Sequence, residues 1–251
     1  MKSVILKGRD ITKKFEETEP PVLNNVKIDL YDGDFTVIMG ASGAGKSTLL
    51  YSLSGMNTID EGNILYHNDD IASFSEKQKA KLRSDAFGFV FQQTNLVSNL
   101  TLFENVAVAG YLNKKRTTGE TDEKAKQLME QMDVTHAMNR LPSKVSGGEA
   151  QRAAIARAII NDPKILFADE PTGALNRRNS DEVLCILQKL HDQGQSILMV
   201  THDMHAAAHG TRILYMEDGK ILSEMKLASM IKEDLKEREA RVNEWLTSLN
   251  W

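Results

Sequence analysis

A glycine-rich segment between an apolar run and a helical run constrains this chain more than any other feature. The segment "GASGAGKST", from Gly40 to Thr48, matches G-x-x-x-x-G-K-[ST] and lies between "FTVIM" and "STLLYSL". Glycines let the backbone turn successive N–H groups towards the oxygens of a phosphate. Because the pattern also lies between a predicted strand and a predicted helix, it predicts a nucleotide site in an α/β fold.

The residues of this segment have separate expected roles. Lys46 would reach the β- and γ-phosphates, and the Ser47 hydroxyl would occupy a Mg²⁺ position. The predicted nucleotide-binding residues of the segment are Gly40, Ser42, Gly43, Ala44, Gly45, Lys46, Ser47 and Thr48.

Two consecutive carboxylates follow the apolar run "KILFA". Asp169 is suited to hold Mg²⁺ through water, and Glu170 can face the γ-phosphate as a general base. The alternative, a pair of solvated surface carboxylates, explains poorly why both follow a buried strand. The pair therefore indicates nucleotide hydrolysis.

Apolar runs alternate with helical patterns along most of the chain, which favours a mostly parallel sheet with helices on both faces. The predicted strands are "SVILKG", "DITKKF", "VKIDL", "FTVIM", "GNILYHN", "FGFVFQQ", "KILFAD", "SILMV" and the hairpin "RILYMEDGKIL". The segment from about residue 94 to 144 is instead helical. It starts with a capping box of Thr101 and Glu104, and "NKKRTTGETDEK" is a polar break between two of its helices. Further helices are predicted at 149–160 and 180–193.

The composition excludes several classes of protein. Of 251 residues, 41% are hydrophobic and 26% charged, as in an ordinary globular protein, and the net charge of −4 argues against a general nucleic-acid binder. Cys185 is the only cysteine, so no intramolecular disulfide forms; its place in "EVLCILQKL" predicts a buried small hydrophobe.

No apolar run approaches the ~20 residues that span a bilayer. The first residues, "MKSVILKGRD", lack the apolar length of a signal peptide. We therefore expect a cytosolic chain, and any work at a membrane would need another protein as the membrane part.

The C-terminal segment is amphipathic, with a helix expected over about residues 226–251. The apolar residues at spacings compatible with one helical face are Leu227, Ile231, Leu235, Val242, Trp245, Leu246 and Leu249. The favoured interpretation is a helix packed on its own domain. A membrane-surface or partner-binding helix is the alternative.

A second anion cradle occurs at "VSGGEAQR", residues 145–152, where a serine and two glycines precede a helix. The motifs occur in the order glycine loop, helices, "SGGE" and apolar strand with Asp-Glu. Over about residues 2–222 the chain resembles the ATP-binding cassette (ABC) ATPases in this order. In that family this signature segment closes over ATP held by the opposite chain of a head-to-tail dimer. The resemblance thus implies that Ser146, Gly147, Gly148 and Glu149 contact ATP in trans.

The resemblance also implies a fold and its limits. We expect an α/β P-loop NTPase (RecA-like) core with a mixed, mainly parallel sheet, an antiparallel β subdomain and an inserted α-helical subdomain. Residues 1–251 would form a single ABC ATPase domain, with the core at 1–92 and 151–225 and the helical subdomain at about 93–150.

Three further residues gain roles from the resemblance. Phe15 would stack on adenine, with a core phenylalanine as the alternative. Gln92 would touch Mg²⁺ or the attacking water, with an ordinary exposed loop residue as the alternative. His202, in "VTHD", would contact the γ-phosphate, so the catalytic set is Glu170, His202 and Gln92. Mg²⁺ would be held by Ser47, Gln92 and Asp169.

The sequence departs from the family pattern at three positions. Val145 stands where leucine is usual, and Ala150 where a polar residue is common. Asn176 replaces the usual aspartate in the loop Ala174, Leu175 and Asn176, which in the family crosses the dimer interface. Asparagine would still cap the following helix, or the lost charge would alter coupling between the two sites. Both interpretations stay open, and we expect activity to survive.

The stretches "ADEPTGAL" and "GFVFQQTNLVSNLTLFENV" look most like the bacterial subfamily of macrolide efflux, lipoprotein release and antimicrobial-peptide resistance. This likeness implies ATP and Mg²⁺ as cofactors, a second ATPase subunit (most simply another copy), and an integral membrane permease that segment 93–105 would contact. The chain would lie at the cytoplasmic face of the membrane, bind no nucleic acid, and drive export of antimicrobial peptides or drugs.

Three other classes compete with the transporter subunit. One is an ABC regulator that signals through a membrane partner in cell division. Another is a soluble ABC ATPase of DNA repair or translation, although the chain lacks the long coiled coil or second cassette typical of those proteins. The third is a nucleotide-binding subunit without turnover, which the asparagine at position 176 motivates.

Overall fold

Two groups of residues, each packed mainly within itself, make up the fold. Unit 1 comprises residues 1–79 and 191–251, and unit 2 comprises residues 80–190. The computed structural model describes residues 3–15, 20–228, 234–249 and 251, so Ile231 of the expected C-terminal helix lies outside the described residues. The sequence-based limits of the core and helical subdomain stay a prediction.

Unit 1 holds two sheets. Its strands and helices are β1 (Val4–Lys13), β2 (Leu23–Tyr31), β3 (Phe35–Met39), α1 (Lys46–Leu53), β4 (Glu61–Tyr66), β5 (Asp69–Asp70), β8 (Ser196–Val200), α7 (Met204–Ala207), β9 (Arg212–Glu217), β10 (Lys220–Lys226) and α8 (Leu235–Ser248). One sheet is antiparallel, in the order β2-β1-β4-β5. In the other, β3 lies between β8 and β9 and is parallel to both, while β10 pairs antiparallel with β9.

The core of unit 1 forms around β3. All five of its residues are buried, as are all five of β8, and both strands read as unbroken apolar or small runs. A strand covered on both faces needs no polar alternation, which explains why these runs carry none. The carboxyl ends of β3 and β8 therefore meet at one edge of the sheet, with Val37 opposite Met199 and Ile38 opposite Val200.

Unit 2 is mainly helical around two parallel strands. Its elements are β6 (Phe87–Val90), α3 (Leu102–Asn113), α4 (Thr118–Gln131), α5 (Gly147–Ile159) and β7 (Ile165–Asp169), while α2 (Glu76–Ala86) and α6 (Arg177–Asp192) extend across its limits. β6 and β7 pair in parallel, and the rings of Phe87 and Phe89 pack on Phe167. Three helices thus separate two paired strands along the chain, as the helical pattern predicted.

One helix begins where the sequence predicted, and three begin earlier. α3 starts after the predicted capping box of Thr101 and Glu104. The polar stretch 113–124 is not a simple break, because a second capping box of Thr117 and Glu120 starts α4 at Thr118. Helices expected at 149 and 180 begin at Gly147 and Arg177.

The strands of the first third also differ from their predicted arrangement. The two expected runs "SVILKG" and "DITKKF" form one strand, β1, in which Asp10 has φ 51° and the pairing with β2 shifts between Gly8 and Ile11. An isolated left-handed residue bends a strand without ending it. The segment "YDGD" has the composition of a tight turn between neighbouring strands, yet β2 and β3 on either side of it belong to different sheets. The "EDGK" hairpin is confirmed, with Asp218 and Gly219 both at positive φ.

The prediction that Cys185 is buried is wrong, because its side chain is exposed. The buried face of α6 carries Val183, Leu184 and Leu187, and a residue two positions after Val183 points away from that face. We expect the native chain to bind one equivalent of a thiol-specific reagent at a rate close to that of the denatured chain. A reaction that needs denaturant would contradict the exposed position.

The C-terminal helix packs on unit 1, as favoured above, but it is shorter than 226–251. Residues up to Lys226 are strand, and α8 starts at Leu235 with Asp234 as its cap. Val242 and Leu246 are buried. Arg238 is fully buried and donates to the carbonyls of Ala208, Gly210 and Ala228, so α8 is bound to the segment that follows α7.

Among the described residues no helix has both the length and the apolar character that a bilayer crossing requires.

Candidate nucleotide site

The predicted phosphate loop follows β3 in unit 1 and ends in α1. Lys46 is the first residue of α1, and its side chain folds back over the loop, where Nζ donates to the carbonyls of Gly40 at 2.8 Å and Ala41 at 3.0 Å. Ser42 and Gly43 are exposed at the outer turn. The ammonium group is thus held inside a loop whose outer backbone is open, which suits an anion of several oxygens.

Gly45 ties this loop to the rest of unit 1. It has φ 98°, and a Cβ at this position would lie 2.7 Å from the carbonyl oxygen of Val22. The carbonyl of the preceding residue, Ala44, accepts from the N–H of Gly219 in the β9–β10 turn. A side chain at Gly45 would therefore displace the loop from two neighbouring strand ends.

We expect Gly45→Ala to weaken binding of a fluorescent ATP analogue by at least about 100-fold, since the strained residue also collides with backbone. Gly43→Ala is the matched control, because Gly43 has φ 84° but nothing lies within 4 Å of its added Cβ. Its effect should stay within about fivefold, the factor that ~1 kcal/mol of backbone strain gives. Equal losses in the two variants would contradict the described loop.

His202 and Phe15 also lie in unit 1. His202 is exposed and follows β8, so it stands at the same sheet edge as the loop after β3. Asp203 caps α7 by accepting from the N–H of His205, which fixes the backbone just after His202. Phe15 is 63% exposed, with Lys13 Nζ 5.8 Å from its ring centre. The alternative of a core phenylalanine is therefore wrong.

The two carboxylates are at the end of β7 in unit 2. Asp169 is its last residue and is buried, whereas Glu170 is partly exposed. Glu170 has φ 45°, a left-handed conformation that is uncommon for this residue type. Such strain persists only where the surroundings hold it, and it is frequent at functional sites. The sequence carried no signal for this backbone conformation.

Gln92 lies beside the turn that follows Glu170. A Cβ on Gly173 would be 2.8 Å from Gln92 Nε2, so the glutamine side chain packs on that backbone. The buried Gln151 joins the same two segments, since its Nε2 donates to the carbonyls of Phe91 at 3.0 Å and Pro171 at 2.8 Å. Sequence reasoning missed Gln151 as a positioning residue, because its acceptors are 60 and 20 residues away.

The signature segment forms the start of α5 in unit 2. Ser146 is the N-cap, and with Glu149 it forms a capping box. Ser146 and Gly147 are exposed, so the first N–H groups of the helix face solvent, while the Ser146 hydroxyl donates to Glu149 Oε2 at 2.7 Å. Hydrogen bonds from the Ser146 hydroxyl and backbone N–H, and then from His136, lower the pKa of Glu149 to about 2. This carboxylate is therefore ionised at neutral pH.

The loop Ala174, Leu175 and Asn176 lies next to this segment in the same unit. A Cβ on Gly147 would be 3.4 Å from Leu175, and one on Gly148 would meet the Asn179 side chain at 2.7 Å. Asn176 Oδ1 accepts from the N–H of Asn179 at 3.0 Å, which confirms that asparagine caps α6.

The predicted residues thus fall into two groups. Unit 1 contains the phosphate loop, Phe15 and His202. Unit 2 brings together Gln92, the turn after Glu170, the signature segment and the Ala174–Asn176 loop, and Gln151 ties part of this group together.

Comparison with known proteins identifies relatives of this arrangement. Residues 23–173 match the sequence model of the family described as ABC transporter. The dimeric structure of MJ0796, a bacterial ABC transporter cassette, is 35% identical with a TM-score of 0.83, covering 89% of this chain and 99% of that chain. A dimeric post-hydrolysis state of MJ0796 bound to ADP and Pi is 34% identical, with a TM-score of 0.82. The match covers 89% of this chain and 99% of that chain.

A third similar structure is cbiO1 from Clostridium perfringens, described as part of the ABC transporter complex cbiONQ. It is 26% identical, with a TM-score of 0.81, and the match covers 98% of this chain and 97% of that chain. These matches confirm the predicted P-loop NTPase fold with a mixed sheet, an antiparallel sheet and helical parts. The subfamily stays a prediction.

Proposed function

The chain belongs to the ABC transporter family, and we propose that it is the ATP-binding and ATP-hydrolysing subunit of a bacterial ABC transporter. The observation that carries this proposal is the presence in one chain of two separate segments whose geometry suits a phosphate. One is the loop closed by Lys46, and the other is the exposed start of α5 at Ser146. A head-to-tail pair of chains would complete two sites from these halves.

ATP would be held first by unit 1. The backbone N–H groups of the loop and Lys46 would bind the β- and γ-phosphates. Phe15, already exposed, would stack on the adenine ring. Ser42, Gly43 and Thr48 complete the set that surrounds the triphosphate.

Mg²⁺ prefers oxygen ligands, and each residue that the resemblance assigns to it offers an oxygen atom. The Ser47 hydroxyl, the Gln92 amide oxygen and the buried carboxylate Asp169 would hold it. When bound, Mg²⁺ neutralises charge that develops on the phosphate oxygens.

Hydrolysis would then depend on three side chains. Glu170 would take a proton from the attacking water, and its strained backbone would fix the direction of the carboxylate. Gln92 would orient the same water, and its packing on Gly173 supports a shared position with Glu170. His202 would donate to the γ-phosphate from the edge of the unit 1 sheet.

The second chain would contribute Ser146, Gly147, Gly148 and Glu149; Ser146 and the glycine N–H groups would meet the γ-phosphate, while the ionised Glu149 would orient Ser146. The loop Ala174, Leu175 and Asn176 would lie in the same interface, since it adjoins the signature glycines. The dimeric structures of MJ0796 support a second copy as the partner. Closure on ATP and opening after hydrolysis would supply the mechanical step.

A membrane permease would use this step, with residues 93–105 as the contact. The relation to cbiO1, part of a transporter complex, supports a partner of this kind. The likeness of "ADEPTGAL" and its companion stretch favours export of, or resistance to, antimicrobial peptides or drugs at the cytoplasmic face. A regulator of cell-wall hydrolases through a membrane partner is the second candidate, since it would use the same ATPase motifs.

The test is affinity purification of the tagged chain from detergent-solubilised membranes of its host, with mass spectrometry. We expect a permease with a large extracytoplasmic domain to copurify. A periplasmic hydrolase in the complex, with unchanged drug tolerance on deletion, would favour the regulator. Recovery of soluble proteins alone would contradict the membrane part of the proposal.

A further inference from the structure

His136 contacts the signature segment without belonging to it. It lies in the short 3₁₀ turn Thr135–Ala137, and its Nε2 is 2.7 Å from Glu149 Oε1. The histidine side chain is 58% exposed and the glutamate side chain 17% exposed. The histidine side chain is therefore largely in solvent, whereas the glutamate side chain is largely covered by protein.

The two oxygens of Glu149 have different partners. Oε2 accepts from both the backbone N–H and the hydroxyl of Ser146, each at 2.7 Å, while Oε1 accepts from His136. Because this carboxylate is ionised at neutral pH, it has no proton to donate. His136 Nε2 must therefore carry the proton of the shared hydrogen bond.

The Ser146 hydroxyl is directed towards Glu149 in this arrangement. A hydroxyl has one proton, so Ser146 cannot donate to Glu149 and to a phosphate oxygen at the same time. A phosphate at the start of α5 must therefore replace Oε2 as the acceptor of the hydrogen bond from the Ser146 hydroxyl. A second donor on Oε1 draws charge from the carboxylate, makes Oε2 a weaker competitor and holds the carboxylate beside the helix start.

We propose that His136 is a positioning residue of the signature segment, which holds Glu149 so that the Ser146 hydroxyl can turn to the γ-phosphate of ATP bound by the second chain. This inference rests on the proposed function. It adds a residue outside "VSGGEAQR" to the half-site that acts in trans. His136 would act when the dimer closes on ATP. It would not affect the binding of ATP by the single chain.

The test uses the chain with Glu170→Gln, in which ATP should drive dimerisation without being consumed. Light scattering gives the ATP concentration at half-maximal dimer, and a fluorescent ATP analogue gives the affinity of the single chain. We expect His136→Ala to raise the half-maximal concentration by about three- to tenfold, the factor of one net hydrogen bond. The affinity of the single chain should not change, because the phosphate loop is untouched.

Two further variants separate positioning from a general surface effect. His136→Gln keeps an N–H donor at similar reach and should restore most of the parent behaviour. Lys126→Ala removes a surface ion pair with Glu123 on α4 at comparable exposure, and it should change nothing. All four chains should unfold at the same temperature within experimental error, since His136 is exposed.

The outcomes distinguish this inference from the function on which it rests. A parent that dimerises with ATP, together with a His136→Ala variant that dimerises at the same ATP concentration, overturns the inference alone. An equal loss in the His136→Gln and His136→Ala variants overturns it too, because the donor would then be irrelevant. A parent that stays monomeric at saturating ATP overturns the proposed function and this inference with it.

Discussion

Replacement of Glu170 by glutamine is expected to lower phosphate release by at least about 100-fold, the range that a positioned general base contributes. Glutamine has nearly the shape of glutamate, but its amide cannot accept a proton from the attacking water. ATP binding should persist, because the phosphate loop and Lys46 are unchanged. Steady-state phosphate release and binding of a fluorescent ATP analogue measure the two effects separately.

The control for this variant is Glu130→Gln, which removes an exposed carboxylate from the end of α4 in unit 2. It should hydrolyse ATP at the parent rate. Parent-like phosphate release by the Glu170→Gln chain would contradict the assignment of the base. A negligible rate in both the parent and the variant would instead favour a binding subunit without turnover.

Arg238→Met is expected to lower the free energy of unfolding by about 3 kcal/mol, since it leaves buried carbonyl acceptors without a charged donor. The guanidinium is fully buried and donates to Ala208, Gly210 and Ala228; the bond from Nε to Ala208 is 2.6 Å long. Methionine fills similar volume but offers no N–H group. Urea unfolding followed by circular dichroism measures the change.

Lys236→Met provides the matched control, because Lys236 is an exposed base on the same helix. Its effect should stay within about 0.5 kcal/mol, as for most surface substitutions. An unchanged urea midpoint for Arg238→Met would contradict the clamp between α8 and the segment after α7. Equal losses in the two variants would show that α8 itself, rather than the buried guanidinium, is sensitive to lost charge.

Local patterns predicted local structure well. The capping box at Thr101 and the Asp-Gly hairpin depend on residues within four positions of each other, so the sequence carries their whole cause. Thr117 and Glu120 have the same spacing, so the sequence also carries the cause of the second box. The prediction for Cys185 was wrong because an apolar neighbourhood in the sequence does not say which face of a helix a residue lies on.

Contacts between distant residues could not be read in this way. Gln151 reaches the carbonyl of Phe91, 60 residues away, and no periodicity relates the two positions. The pairing of β3 with β8 and β9 joins strands more than 150 residues apart in sequence, so no local pattern could indicate their order. The strained φ of Glu170 likewise depends on surroundings assembled by the fold.

The central claim is that each site is built from two chains, with Lys46 from one and Ser146 from the other. The most direct measurement mixes two variants, each defective in one half. Lys46→Ala removes the phosphate-binding ammonium, and Ser146→Asp keeps a good N-cap while it places a negative charge against the phosphate. Each variant alone should release almost no phosphate, since every site then contains a defect.

On mixing, a pair with one chain of each kind contains one site with both halves intact. We therefore predict that phosphate release reappears in the mixture and rises with the proportion of mixed pairs up to equal amounts of the two chains. A mixture as inactive as its separate components would contradict the shared sites, and so would full activity of either variant alone.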